Sequence, residues 1–146
     1  MTPIEYAEKT NTAEAWADVY ITAESSSEEK QLCRKKAIDC AEKEGTVSAW
    51  KYAFWITEEK SEEEKYCRQK IHEYAEKEDT ASAWENTYWT AEDESKIQKL
   101  CQLRVIACAE REGTIEAWRD AYFVAEYGSE DERYCESKLS ALKASQ

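Results

Sequence analysis

The stretch from Thr80 to Cys101 reads TASAWENTYWTAEDESKIQKLC. Thirty-four positions earlier stands TVSAWKYAFWITEEKSEEEKYC, and 34 positions later TIEAWRDAYFVAEYGSEDERYC. No gap is needed to align them. A period of this length constrains the fold more than any other feature, because a unit of that size cannot bury a hydrophobic face alone and must stack on its copies. Trp16, Trp50, Trp84 and Trp118 fall in one column, and Tyr20, Phe54, Tyr88 and Tyr122 in another. Cys33, Cys67, Cys101 and Cys135 form a third, and Ala15, Ala49, Ala83 and Ala117 a fourth.

Each unit reads as two helices. Thr12, Thr46, Thr80 and Thr114 are suited to N-capping the first, since a threonine hydroxyl satisfies an orphan amide. This helix is expected to run to about Glu24, Glu58, Glu92 or Glu126. In the first unit, positions 13, 16, 19, 20 and 23 share one helical face, so the tryptophan and tyrosine columns are core. The second helix is expected to open at Ser27, Ser61, Ser95 or Ser129. Glu64, Gln98 and Glu132 then complete capping boxes, whereas Lys30 does not. Its core stripe runs through Cys33, Ala37 and Cys40 and their counterparts. It ends at Asn11, Gly45, Asp79 or Gly113, residue types that tolerate a left-handed cap. Units of about 12–45, 46–79, 80–113 and 114–146 follow within a single repeat domain spanning 1–146, and residues 3–11 form an N-terminal capping turn. Ser140 and Lys143 make the last helix more polar, as a terminal repeat requires.

Composition agrees with an all-helical chain. Three glycines and one proline are too few for a turn-rich β architecture. A net charge of −12 disfavours nucleic acid and anionic membranes and allows a cationic partner. The opening MTPIEYAEKT has neither a basic nor an apolar leader region, and the apolar runs are too short to span a membrane. Cys33 and Cys40, like Cys101 and Cys108, stand seven residues apart, or about 10.5 Å on a helix. A disulfide needs Cα atoms within about 7 Å. Free thiols in a reducing, cytoplasmic compartment are therefore expected.

The period, the two-helix unit and the openings TAEAW, TVSAW, TASAW and TIEAW resemble the tetratricopeptide (TPR) family along the whole chain. The Tyr20 column stands where that family carries a small residue, and no proline ends the units. A large residue on the first helix needs a small one opposite, which the Cys33 column supplies. The resemblance implies an all-α solenoid of four helix–turn–helix repeats with a right-handed superhelix, whose first helices line a concave surface. It places Ile21, Trp55, Trp89 and Phe123, five residues after each tryptophan, on that surface. At 100° per residue this column lies about 140° from the tryptophans. Such a ladder would be a peptide-binding strip, since aromatics dominate hot spots. The alternative is packing against the neighbouring unit.

Two further columns are candidates for binding. Lys51, Glu85 and Arg119 follow the tryptophans and vary, as does Ala17, so they would set specificity or form a solvated face. Glu24, Glu58, Glu92 and Glu126 are acidic at a helix end where the dipole opposes them. They would meet a cationic ligand, or pair with Lys36, Lys70, Arg104 or Lys138. His72 is the only histidine, and no CxxC, Gly-rich phosphate loop or nucleophile motif occurs. No enzyme activity, metal or cofactor is expected. The chain reads as a monomeric, non-catalytic protein–protein interaction scaffold for a peptide or partner segment, basic ones first. The alternative is an engineered or amplified repeat scaffold with no natural ligand, which four units of equal length would also suit.

Overall fold

A computed structural model describes residues 2–22, 26–93 and 95–146 of the chain. Among these the structure has nine α-helices and no strand. They are α1 (Pro3–Thr10), α2 (Ala13–Thr22), α3 (Ser27–Glu44), α4 (Val47–Trp55), α5 (Glu62–Glu78), α6 (Ala81–Thr90), α7 (Lys96–Glu112), α8 (Ile115–Val124) and α9 (Glu130–Ala144). Two compact units divide the chain, Met1–Tyr74 and Ala75–Gln146. In the first, α2 packs on α1, α3 and α4, and α3 also packs on α4. In the second, α8 packs on α6, α7 and α9, and α6 pairs with α7.

The threonine caps form throughout. The hydroxyls of Thr12, Thr46, Thr80 and Thr114 each accept from the amide three residues on, at 3.1 Å. Asn11, Gly45, Asp79 and Gly113 close the preceding helices with φ between 48° and 67°. Their amides donate to Ala7, Ala41, Ala75 and Ala109. Serine caps open the second helices at Ser61, Ser95 and Ser129. In the first unit the cap is Ser26, not Ser27, with the Glu29 amide as donor. The run of adjacent serines makes either residue chemically able to cap, and the geometry selects the earlier one.

The first helices end sooner than the apolar pattern suggests. They stop at Thr22, Trp55, Thr90 and Val124. Glu58, Glu92 and Glu126 therefore lie in the connecting turn, where their carbonyls accept from the amides of Ser61, Ser95 and Ser129. Glu24 lies outside the described residues. The capping glutamates also depart from a simple reciprocal box: Glu64 accepts from the Lys60 amide and Glu132 from the Gly128 amide, one residue before each cap. Lys60 and Gly128 both hold positive φ there, 63° and 76°.

The four tryptophans Trp16, Trp50, Trp84 and Trp118 are at most 3 % exposed, and the cysteines of the repeat column are fully buried. Replacing one such indole by alanine would cost about 3–5 kcal/mol. The Tyr20 column is only half-buried. It lies at the margin of the core rather than within it.

Several contacts recur two repeats apart rather than one. Glu44 accepts from the Ala13 amide and Glu112 from the Ala81 amide, both at 2.8 Å. The Cys40 thiol meets the Asn11 side chain at 3.2 Å, and the Cys108 thiol meets that of Asp79 at 3.6 Å. At the glycine cap Gly45, the residue in the cysteine's place is Tyr74, whose ring lies 3.6 Å from where a Cβ would be. A polar cap thus pairs with a small thiol, and a glycine cap leaves room for a ring.

Candidate functional site

Ile21, Trp55, Trp89 and Phe123 are 62 %, 53 %, 59 % and 53 % exposed. The same short helices bury Trp16, Trp50, Trp84 and Trp118 and half-bury the Tyr20 column, so these four stand out against their own elements. Each is the outward residue at or near the last turn of α2, α4, α6 or α8. The packing alternative, in which neighbouring helices cover this column, is not what the structure has.

In the first unit, α2 and α4 present Ile21 and Trp55 beside a mixed polar surface. The Tyr52 ring meets Trp55 edge-on, with centroids 5.3 Å apart. The Lys51 ammonium lies 5.0 Å from the Trp55 ring centroid and 5.5 Å from that of Tyr52. Burial and then the nearby Glu14 carboxylate push the Tyr52 phenol upward. Ala17, the first member of the varied column, is buried. It belongs to the core.

In the second unit, Trp89 on α6 and Phe123 on α8 are the exposed rings. Tyr88 meets Trp89 edge-on at 4.9 Å. Phe123 and Arg119 help line a cleft of about 380 Å³ shared with Glu136, Leu139 and Lys143. Glu85, half-buried, stands close to Asp120, and the two carboxyl groups can hydrogen-bond only when one of them holds a proton. Burial raises the Asp120 carboxyl above its ordinary range, Glu112 and Glu116 add to the rise, and Arg119 and the Glu85 hydrogen bond oppose it. Asp120 was not among the sequence-derived candidates. Its column holds Asp18, Tyr52, Asn86 and Asp120, with no one residue type throughout, so periodicity could not single it out.

In the acidic column, Glu58 has a structural partner. It pairs with Arg34 at 3.3 Å, not with Lys36 or Lys70. Arg34 also donates to the Ile56 carbonyl and the Tyr20 hydroxyl, both at 2.8 Å. Lys70 instead reaches Glu73, and Arg104 and Lys138 lie over the Trp84 and Trp118 rings. Arg104 and Lys138 thus meet the core indoles rather than the acidic column. A cleft of about 440 Å³ opens beside Arg34, lined also by Lys35, Asp39, Glu58 and Glu63.

The six cysteines are free and buried. Burial pushes the Cys67 and Cys101 thiols up to about 12, and Cys108 and Cys135 up to about 11. A thiol so shifted holds its proton and is a poor nucleophile. Among the described residues no three His, Cys, Asp or Glu side chains are grouped to hold a metal ion. Nor is any described helix long and apolar enough to cross a membrane. Comparisons with protein-family models, curated proteins and solved structures find no match for the chain.

Proposed function

We propose that the chain is a non-catalytic protein–protein interaction module, a TPR-like α-solenoid that binds an extended or helical segment of a partner through its first helices. The observation that carries this reading is the exposure of Ile21, Trp55, Trp89 and Phe123 on helices that bury every tryptophan of the repeat column. Exposed aromatics on rigid helices lose little entropy when they are covered, and they are enriched at binding hot spots. The net charge of −12 favours basic segments. The buried, fully protonated thiols suit a reducing compartment such as the cytoplasm and supply no catalytic nucleophile. The module is a monomer; a concentration-dependent mass by light scattering would contradict that.

The test is quenching of tryptophan fluorescence by acrylamide, on the wild type and a Trp55→Leu/Trp89→Leu double variant, followed by a peptide screen. These two rings are expected to account for the accessible emission, and the double variant to lose the peptides the wild type selects. A wild type that selects no peptide would sink the reading. The alternative, an amplified or engineered scaffold without a ligand, draws support from contacts copied two repeats apart, such as Ala13–Glu44 and Ala81–Glu112.

A further inference from the structure

Two corners of the fold are built on one plan and differ in what fills them. The first unit sets Glu42, Trp50, Tyr66 and Lys70 around the glycine cap Gly45. The second sets Glu110, Trp118, Tyr134 and Lys138 around Gly113, each two repeats later. The contacts are copied closely. Tyr66 meets Trp50 edge-on with centroids 5.6 Å apart, and Tyr134 meets Trp118 at 5.5 Å. The Tyr66 hydroxyl donates to Glu42 at 2.9 Å, and the Tyr134 hydroxyl to Glu110 at 3.0 Å. Lys70 and Lys138 lie 5.5 and 5.4 Å from the centres of those tyrosine rings.

The filling is not copied. In the first unit Tyr74 of α5 lays its ring 3.6 Å from where a Gly45 Cβ would be. In the second unit that place belongs to Leu142 of α9, and nothing lies within 4 Å of the Gly113 position. The residue before it shrinks as well, from Glu73, which pairs with Lys70, to Ala141. A cavity of about 460 Å³ opens there, lined by Glu110, Gly113, Trp118, Tyr134, Lys138 and Leu142 among others. That volume is in the ordinary range of ligand pockets, about 300–1,000 Å³. The cover is thinner too: Val47, two residues after the first glycine, is buried, and its counterpart Ile115 is only half-buried. The first unit thus shows what such a corner accepts, a single flat ring against a glycine that has no Cβ to obstruct it.

We propose that the cavity between the Gly113 cap, α8 and α9 receives a tyrosine side chain of a partner protein, in the place that Tyr74 takes in the first unit. The Tyr134 ring and the Lys138 ammonium give it an aromatic and a cationic wall, and both attract a ring. A tyrosine suits an open corner because its ring is covered while its hydroxyl stays wet. The site uses none of Ile21, Trp55, Trp89 and Phe123, so it stands apart from the reading built on that column.

The experiment is amide NMR of the isotope-labelled full chain, titrated with a capped Gly-Tyr-Gly peptide, its Gly-Leu-Gly counterpart, and p-cresol. The tyrosine peptide is expected to shift the Gly113 amide and Trp118 indole signals saturably, and to leave those of Gly45 and Trp50 in place. The leucine peptide should move neither pair. Leu142→Tyr, which installs the first unit's own ring, should weaken the tyrosine peptide at least about tenfold. It should also raise the thermal midpoint, read by far-UV circular dichroism, because the ring regains contacts that the leucine leaves unmade. Tyr74→Leu should make the Gly45 and Trp50 signals respond; if that variant loses its helical spectrum, Leu142→Tyr decides alone. Equal response to the leucine peptide, no saturable response, or undiminished binding by a folded Leu142→Tyr variant would overturn the proposal. So would a response to p-cresol alone, which would make the site one for free phenols. Peptides selected through Trp55 and Trp89 should leave the Gly113 signal unmoved, so either reading can fail while the other stands.

Discussion

At the scale of single residues, Asp79 carries more than its cap position suggests. Its left-handed backbone closes α5, its Oδ1 accepts from the buried Trp84 indole at 3.0 Å, and Arg111 reaches its carbonyl and its Oδ2. The corresponding indole nitrogens of Trp16 and Trp50 are buried with no hydrogen-bond partner. Five residues before each tryptophan stands Asn11, Gly45 or Asp79, and of these three only Asp79 meets its indole. Asp79→Ala should destabilise the fold by about 1–2 kcal/mol in urea titration, the low side of an unsatisfied buried donor. Water can partly replace the lost partner, because the Asp79 side chain is 43 % exposed. Its carboxyl is held below the usual range, first by the Trp84 hydrogen bond and also by Cys108 and Arg111. A depressed folded value means the unfolded chain takes up the proton first. The stabilisation is therefore present above the ordinary carboxylate range and is lost as pH falls through the folded value. The Asp79→Ala variant should lack that part of the acid dependence.

The cysteines support a second prediction at the same scale. A thiol raised from 9.0 to about 12, as at Cys101, holds about a thousandfold less thiolate at neutral pH. Native protein should react with an aromatic disulfide reagent far more slowly than urea-unfolded protein, with six thiols released on unfolding. A fast-reacting thiol in the native state would contradict the burial. That the cysteine column belongs to the buried stripe of the second helices was legible in the sequence. The Cys40–Asn11 and Cys108–Asp79 pairings were not, because they join residues about one repeat apart that sequence columns treat as independent.

At the scale of elements, the helix ends were the most readable feature, since a threonine cap acts within its own turn. The first helices stop short of the ends that the apolar pattern implies. The apolar pattern runs past Trp55 and Val124, but Arg34 and Gln102 donate side-chain hydrogen bonds to the Ile56 and Val124 carbonyls. A carbonyl satisfied by the facing helix no longer needs another helical turn. Arg34→Ala should cost about 1–2 kcal/mol, since it removes bonds to Ile56 and Tyr20 as well as the Glu58 pair. Glu58→Ala should cost less than about 0.5 kcal/mol, because its carboxylate is 70 % exposed and the pair is a surface one. Thermal unfolding of the two single variants checks the order; equal losses would show that the ion pair, not the carbonyl bonds, matters.

At the scale of the whole molecule, a formal charge of −12 acts on both units. Self-repulsion destabilises a compact acidic chain, and salt screens it. Raising sodium chloride from low to moderate concentration should lift the thermal midpoint by about 2–4 °C, measured by circular dichroism. The sign would reverse if favourable surface ion pairs dominated.

The sequence by itself determined the helical class, the caps, the tryptophan core and the burial of the cysteines. All of these follow from local periodicity and short-range hydrogen bonds, which a gapless repeat states four times over. Only the tertiary structure decided that Ile21, Trp55, Trp89 and Phe123 face solvent, that Arg34 rather than Lys36 meets Glu58, and that Glu85 stands close to Asp120. Those outcomes depend on which helix packs against which, and at what depth. A helical wheel gives a side chain's angle about its own axis but not what lies across from it.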